Sequence, residues 1–347
     1  MQRAIFEVSV AGTDITTKLA PIFTSLTITD NAGTHSDTAS LELDDSGGAL
    51  ILPKPKAPIT ISLGWYGGTI REVFRGTVDG VTSTGNRGGG RTLSIQAKGI
   101  DSAGRAKEVQ QRHFDNETVQ GVLRQAGEAA GIAGIEVDPD LANITLPYIE
   151  MGESFIHFGQ RLARELGGLF RVKGDTAYLA KRAKVYAPSV TAAWGINLHS
   201  WNMTPAIGRM MHKRARARAY DADEGREVTV ESDDTTTEGA EATFDRRERQ
   251  ADRDSAQRAA DGDAATAEEQ AGGGSVVIEG TTEAVPDGVC ILTGARAGID
   301  GKYRIKTVTH TLTRHGGWTT SLDLSQPQDG AGSDERAEAQ NAGDDND

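Results

Sequence analysis

Short runs of alternating hydrophobic and polar residues dominate both ends of the chain. In the segment ITISLGW, one face carries four apolar residues: Ile59, Ile61, Leu63 and Trp65. Gly67 and Gly68 follow as a hairpin turn, and Trp318, Leu322 and Leu324 repeat the alternation near the C-terminus. Because turn residues recur at short intervals, the pattern predicts antiparallel β-structure over roughly the first hundred and the last hundred and forty residues.

The last predicted hairpin contains a change of phase in its first strand. Tyr303 and Ile305 share one parity, whereas Val308, His310 and Leu312 take the other. One extra residue in a strand, a β-bulge, produces this shift and bends the strand. We therefore expect this hairpin to form part of a curved, closing sheet.

The middle of the chain changes to helical spacing. DNETVQGVLRQAGEAAG predicts a helix with Asp115 or Asn116 as its N-cap, and ESFIHFGQRLARELGG predicts a second helix that ends at Gly167-Gly168. LFRV-KGD-TAYLA then predicts a hairpin. These elements indicate a small α+β domain over residues 101–182.

Strands return after residue 183, with two exceptions. A stretch rich in Ala, Arg, Glu and Asp over 243–270 predicts a helical segment, interrupted near Gly262. The final segment, 326–347, has seven acidic residues, one arginine and no apolar periodicity. A segment of this composition cannot bury enough apolar surface to fold, so we expect a disordered acidic tail.

Two distant segments resemble each other. FRGTVDGVTSTG, starting at Phe74, and YRIKTVTHTLTR, starting at Tyr303, both begin aromatic-Arg, continue to Thr-Val, and lead through a Gly-rich turn into an alternating strand. Either the chain contains a duplicated unit, or two Thr-rich hairpins match by chance. The turn density fits an antiparallel barrel or a sandwich. With duplication, we expect a fold that is mainly β with an α+β insert, in which two similar β-barrel domains, 1–100 and 183–325, flank the α+β domain.

Composition excludes several function classes. The net charge of −13 argues against general nucleic-acid binding, and no apolar run is long enough for a membrane span. The N-terminus lacks the apolar core of a signal peptide, so export by that route is not expected. Cys290 is the only cysteine, and the seven histidines form no i, i+4 ligand pair. We therefore expect no catalytic residues, no metal site and no cofactor.

One local charge pattern is unusual. In the segment HKRARARAY, Arg214, Arg216 and Arg218 lie on one face of a predicted strand, opposite three alanines. These arginines are a solvated face or a charged edge strand that resists aggregation. Alternatively, they form a docking face for an acidic partner, including carboxylates of a neighbouring subunit. They are the only candidate partner-binding residues.

Four stretches in order resemble the late control D family, the baseplate hub proteins of contractile-tailed phages, which also includes the hub part of type VI secretion spike proteins. The four are FRGTVDGV at Phe74, ESFIHFGQRLARELGG at Glu153, SVVIEGTTEAVPDGVCILTG at Ser275 and DGKYRIKTVTHTLTRHGGWTTSLDL at Asp300.

The resemblance implies a structural, non-enzymatic hub in the virion tail baseplate, assembled in the host bacterial cytoplasm. It implies a homotrimer whose six barrels form a pseudo-sixfold ring between the hexameric tail tube and the trimeric central spike. Implied partners are the tail tube protein or a tube initiator and the spike protein, with the tape-measure and baseplate wedge proteins as further candidates.

Two alternatives remain at the level of sequence. The chain is the hub of a tailocin or another phage-like secretion particle, which has the same mechanical task. From a different class, it is a cell-wall-degrading or carbohydrate-binding β-protein, for which the four tryptophans supply few exposed aromatic rings.

Overall fold

The computed structural model describes residues 3–32, 37–48, 50–88, 90–99, 105–173, 175–181, 189–204, 212–221, 224–233, 242–250, 252–269, 272–328 and 331. Within these residues the protein is mainly β, as the alternating pattern predicts. The predicted domain boundaries at 100/101 and 182/183 lie outside the described residues. The core residues form separate hydrophobic clusters.

The N-terminal lobe is an antiparallel sheet with one short helix. Its elements are β1 (Ala4–Val10), β2 (Thr13–Asp14), α1 (Thr16–Leu19), β3 (Phe23–Asn31), β4 (Thr38–Asp44), β5 (Pro58–Trp65), β6 (Arg71–Asn86) and β7 (Gly90–Lys98). The strands lie in the order β3-β4-β7-β6-β5-β1-β2. Leu26, Ile28, Leu41 and Ile61 alternate toward one face and are completely buried there, which forms the core of this lobe.

A middle unit of helices and short strands follows. Its elements are β8 (Arg112–Thr118), α2 (Val119–Ala129), β9 (Gly134–Val137), α3 (Pro139–Ala142), β10 (Thr145–Met151), α4 (Phe155–Glu165), β11 (Gly168–Lys173) and β12 (Thr176–Lys181). The N-cap of α2 is Thr118 rather than Asp115 or Asn116, because residues 112–118 are paired with β10 and cannot start the helix earlier. The predicted hairpin is β11–β12.

The C-terminal lobe contains an inserted subdomain. Its elements are β13 (Ser189–Ala193), β14 (Leu198–Thr204), β15 (His212–Asp221), β16 (Arg226–Asp233), β17 (Ala242–Gln250), α5 (Arg253–Glu269), β18 (Gly273–Glu279), β19 (Val289–Thr293), β20 (Gly301–Thr313) and β21 (Gly317–Gln328). Strands β15–β17 and helix α5 form the insertion between β14 and β18. The predicted β-bulge lies in β20, where the register with β21 shifts between Ile305 and Thr307.

The predicted helix over 243–270 is wrong in its first third and in its interruption. Residues 242–250 are strand β17, parallel to β15. The helix begins only after Asp252, whose carboxylate accepts a hydrogen bond from the Ser255 backbone N–H. It continues through Gly262, where the missing side chain lets α5 lie directly on the carbonyl oxygen of Arg164 in α4.

The boundary predicted for the acidic tail is also wrong by several residues. Pro327 and Gln328 pair with Tyr303 and Lys302 at the end of β21, and Ala331 packs against the C-terminal core beside Gly301. The remainder of the predicted tail, 329–330 and 332–347, lies outside the described residues.

A pair of truncations tests this boundary. We expect removal of 332–347 to leave the thermal unfolding midpoint unchanged, because that segment has no apolar periodicity. Removal of 326–347 should lower the free energy of unfolding by about 1–3 kcal/mol, because it deletes strand pairing and the Ala331 contact. Equal midpoints for the two truncations in a calorimetric scan would contradict this assignment.

The two lobes share one strand order. It is β3-β4-β7-β6-β5-β1 in the N-terminal lobe and β14-β18-β21-β20-β19-β13 in the C-terminal lobe. Neighbouring strands are antiparallel in both, except that β13 runs parallel to β19. This correspondence favours duplication over chance similarity. Among the described residues no strand pairing closes either sheet, so both are open sheets, and the two-barrel arrangement remains a prediction.

The lobes are joined edge to edge. The second half of β20, Thr307–Thr313, pairs with β3 antiparallel, so one sheet runs through both lobes. Leu312 and Trp318 extend across this junction into the N-terminal core. On the opposite face of the joined sheet, hydroxyl side chains predominate, among them Thr27, Ser40 and Ser321, and Thr29 Oγ1 lies 3.5 Å from Thr309 Oγ1 across the junction.

Candidate assembly surfaces

The predicted arginine face lies on a central strand. In the inserted subdomain the strand order is β16-β15-β17, so β15 has a neighbouring strand on each side. The prediction that it is an edge strand is therefore wrong. Its alanines are buried: Ala217 and Ala219 pack in one cluster with alanines of α5. Because side chains alternate along a strand, burial of the alanines directs the arginines to the outer face.

The arginine side chains are paired within the sheet. Glu231 lies opposite Arg216 and its carboxylate is 2.6 Å from Arg216 Nε and 3.5 Å from Arg214 Nη1. Glu227 is 4.0 Å from Arg218 and 2.7 Å from Arg249. The three arginine side chains are 38–48% exposed, so water screens these pairs and each is worth at most about 1 kcal/mol. The face is therefore a mixed network of arginines and glutamates.

A tryptophan cluster occupies the junction between the lobes. The rings of Trp65 and Trp318 are 5.2 Å apart, and Trp65 Nε1 donates a hydrogen bond to the Gly280 carbonyl oxygen at 2.8 Å. Gly280 lies against the indole of Trp318 so closely that a side chain there would overlap the ring. Trp318 is buried at this junction, and Trp65 packs half-buried on the same cluster.

His310 belongs to this junction and is only 4% exposed. Its Nδ1 lies 3.1 Å from Thr320 Oγ1, and that hydroxyl accepts from the Thr281 backbone N–H at 3.0 Å. Burial disfavours the charged imidazolium and lowers the pKa of His310 to about 4. The ring is therefore a neutral structural group at neutral pH.

A groove of about 650 Å³ separates β10 and α4 of the middle unit from β17 and α5. Arg161 spans its wall, where Nε is 2.7 Å from Glu153 and Nη1 is 3.3 Å from Glu165. Burial opposes the charge of Arg161, but the hydrogen bond to Glu153 and the charge of Glu165 outweigh it and raise the pKa. Both carboxylates are therefore held in an ion-pair network with Arg161.

Three further observations concern metal binding, membrane spans and the single cysteine. No group of three or more His, Cys, Asp or Glu side chains there is arranged to hold a metal ion. None of the helices in the described ranges is long and apolar enough to cross a membrane. Cys290 is completely buried, and burial raises the pKa of its thiol to about 12, so it is not a reactive thiolate.

Sequence reasoning missed an apolar surface at the start of β14. Trp194 and Ile196, in the turn before this strand, are 54% and 84% exposed. Trp201 packs edge-on against Trp194, and Trp201 and Met203 are only partly buried on the C-terminal core. The segment WGINLHSWNM contains the signal, namely large apolar residues in a turn and on an alternating strand, but only the pairing pattern shows that they lie at a sheet edge.

Two curated relatives match part of the chain. A probable baseplate hub protein of Escherichia phage P2 is 32% identical over 161 residues, which is 46% of this chain and 41% of the relative. A probable baseplate hub protein of Escherichia phage 186 is 28% identical over 185 residues, which is 53% of this chain and 46% of the relative. The matches thus cover less than half the length of these relatives. No family model matches the chain.

Three solved structures share the fold. A tail protein from Neisseria meningitidis MC58 superposes with a TM-score of 0.71 at 16% identity, covering 95% of this chain and 98% of that one. The 43 kDa tail protein of prophage MuSo2 from Shewanella oneidensis gives 0.70 at 16% identity, covering 93% and 98%. The E. coli c3393 protein, a component of the type VI secretion system, gives 0.56 at 12% identity, covering 94% and 78%.

The resemblance predicted from sequence is therefore confirmed: this chain is similar in sequence to phage baseplate hub proteins over about half its length and has the fold of phage tail proteins over nearly all of it.

Proposed function

We propose that this chain is a structural baseplate hub protein of a contractile phage tail and acts without catalysis. The observation that carries the proposal is the pair of lobes with one strand order, joined edge to edge by β20 and β3. The similarity to two proteins named as probable baseplate hubs and the fold shared with tail proteins support it.

In this proposal each lobe is a β-barrel domain, and three copies place six lobes in a pseudo-sixfold ring. A chain with two similar lobes is suited to join a sixfold partner to a threefold one. The six lobes of a trimer match the six subunits of the sixfold partner, and its three chains match the three subunits of the threefold partner. The hub therefore bridges the hexameric tail tube, or its initiator, to the trimeric central spike. The tape-measure and wedge proteins are further partners in the same virion tail baseplate.

The mass of the purified chain in solution tests this proposal. One chain has a mass of 36.8 kDa, so a trimer of three chains has a mass of about 110 kDa. We expect that mass by sedimentation, and rings with six similar lobes in class averages from electron microscopy. A monomer at every concentration, or particles without six lobes, would argue against the hub ring.

A second candidate is the hub of a tailocin or secretion particle. The fold shared with the type VI secretion component favours it. Electron microscopy of particles released from the producing cell separates the two, because tails attached to DNA-filled heads indicate a phage and headless contractile tails indicate a tailocin.

The arginine face remains a proposed partner-binding surface, for carboxylates of a neighbouring subunit. Reversal of the charges is a poor test, because glutamates at 214, 216 and 218 would lie beside Glu227 and Glu231 and destabilise the sheet itself. We expect the triple change of Arg214, Arg216 and Arg218 to Gln to weaken trimerisation while circular dichroism stays unchanged.

The matched control is Arg75→Gln, which removes an exposed arginine paired with Glu72 in the N-terminal lobe. It should leave the trimer at wild-type strength. If the triple variant assembles as strongly as this control in sedimentation equilibrium, the arginine face is only a solvated surface.

A further inference from the structure

We infer that β14 of one copy pairs antiparallel with the outer half of β6, Gly80–Gly85, of the next copy, and so repeats between chains the β20–β3 pairing found within the chain. This inference rests on the proposed ring and names the strands that close it. Strand β14 lies at one end of the joined sheet.

The registers establish which residues of the two lobes are equivalent. In the N-terminal lobe one row across the sheet connects Ile28, Ala39, Ala97 and Val78. In the C-terminal lobe the corresponding row connects Trp201, Val276, Leu322 and Val308. Strand β14 is therefore the equivalent of β3, and β6 is the equivalent of β20.

Both long strands change neighbours along their length. The first residues of β20, Gly301–Arg304, pair with β19, and Thr307–Thr313 then pair with β3. In the same way Arg71–Thr77 of β6 pair with β5. Over Gly80–Gly85, β6 pairs only with β7 within the described part of the chain, so the edge that β20 uses to bind β3 is open on β6.

Side chains of β14 and of the β6–β7 hairpin are more exposed than their equivalents in β3 and in the β20–β21 hairpin, as expected if a neighbouring strand is missing. Leu26 and Ile28 of β3 are completely buried where β20 covers them. Trp201 and Met203 of β14 are only partly buried. Leu312 and Trp318, which flank the exposed turn of the β20–β21 hairpin, are buried in the other lobe, whereas Thr82–Gly85 of the β6–β7 hairpin are exposed.

The internal junction also predicts the register between copies. Val81 and His310 occupy equivalent positions, because Val81 pairs with Ile95 and His310 with Thr320 in the next equivalent row. Since His310 lies opposite Ile28, we place Val81 opposite Trp201 of the next copy. On the outer face, the pair of Thr309 and Thr29 within the chain corresponds to the pair of Gly80 and Asn202 between copies.

This pairing has the chemistry of an assembly contact between copies. Main-chain hydrogen bonds extend the sheet, as in strand addition to an open edge. Val81 and Trp201 add an apolar contact on the core side. Because the two edges differ, the contact is heterologous and closes only when the rotation between copies completes a ring.

Engineered disulfides test the register. We choose Gly80→Cys with Asn202→Cys, because a side chain at Gly80 meets nothing within 4 Å and Asn202 is exposed, so neither change should disturb the fold. Directly opposed residues of antiparallel strands have the Cα separation that a disulfide needs. Under mild oxidation we expect covalent dimers and trimers on a non-reducing gel.

Three controls accompany the experiment. Thr29→Cys with Thr309→Cys should form the equivalent bond inside one chain, without a change in mass. Gly80→Cys with Ser200→Cys, two residues out of register on the same face of β14, should give several-fold less covalent trimer. Each single variant should give no covalent trimer on the non-reducing gel.

The outcomes separate this inference from the hub proposal. Trimers by sedimentation without the Gly80–Asn202 crosslink, while the Thr29–Thr309 bond forms, would overturn the strand pairing and leave the ring intact. Equal crosslinking with Ser200 would overturn the register. A chain that remains monomeric and uncrosslinked would contradict both proposals.

Discussion

Replacing Trp318 with alanine is expected to lower the free energy of unfolding by about 3 kcal/mol, the lower end of the range for a buried tryptophan. Trp318 is 4% exposed and contacts residues of both lobes, so its removal leaves a cavity at their junction. The buried Nε1 of Trp318 has no hydrogen-bond partner among the described residues, which costs stability in the folded protein. Because the alanine variant no longer has this unpaired group, the expected loss is at the lower end of the range.

Two variants serve as controls for this experiment. Trp318→Phe keeps an aromatic ring and removes the unpaired N–H, so it should cost much less than the alanine. Trp194→Ala changes a tryptophan that is 54% exposed and should alter the monomer by under about 1 kcal/mol. Chemical denaturation measures all three, and equal losses for Trp318→Ala and Trp194→Ala would contradict a structural role for the junction.

Acidification should destabilise the protein through His310. Its folded-state pKa of about 4 is lower than the ordinary 6.5, so the unfolded chain binds the proton more tightly. The neutral ring therefore contributes its full stability above pH 6.5, and this contribution is lost as the pH falls toward 4. The difference in pKa corresponds to about 3 kcal/mol.

The measurement is the free energy of unfolding at several pH values between 7 and 4. We expect His310→Gln to lose stability at neutral pH but to flatten this part of the pH profile, because the titrating group is gone. His157→Gln, which changes an exposed histidine, should retain the wild-type profile. A wild-type slope in the His310→Gln variant would assign the effect to other groups.

The elements that the sequence predicts correctly are those whose signal is local. Alternation is sufficient to predict most of the strands, and the parity change between Ile305 and Val308 correctly predicts the bulge. Strand β17 is missed because its many charged residues lack alternation, and it is a strand only because it pairs with β15. Sheet pairing overrides local propensity there.

In the candidate site, too, local features are predicted and features that depend on long-range pairing are not. The exposure of Arg214, Arg216 and Arg218 follows from alternation with alanine, but their central position and their pairing with Glu227 and Glu231 depend on which strands are neighbours. For the same reason the sequence does not show that β14 is an edge strand, because a strand is at an edge only when no other strand pairs with one of its sides. Long-range pairing, rather than residue type, determines both features.

The hydroxyl-rich face of the joined sheet has a consequence for transport through the ring. If copies join as inferred, the eight strands from β14 to β6 of each chain give 24 around the axis. At about 4.8 Å per strand their circumference is roughly 115 Å, which gives a bore of about 37 Å between backbones before strand tilt widens it and inward side chains narrow it.

Several α-helices of about 10–12 Å diameter fit side by side in such a bore. Because the cores of the lobes lie on the other face, the wall of the bore would carry Thr27, Thr29, Ser40, Thr309 and Ser321. Among these hydroxyl groups the same face also carries the charged side chains of Glu42, Lys98 and Asp323. A passing chain would slide over a hydrated lining with few apolar side chains.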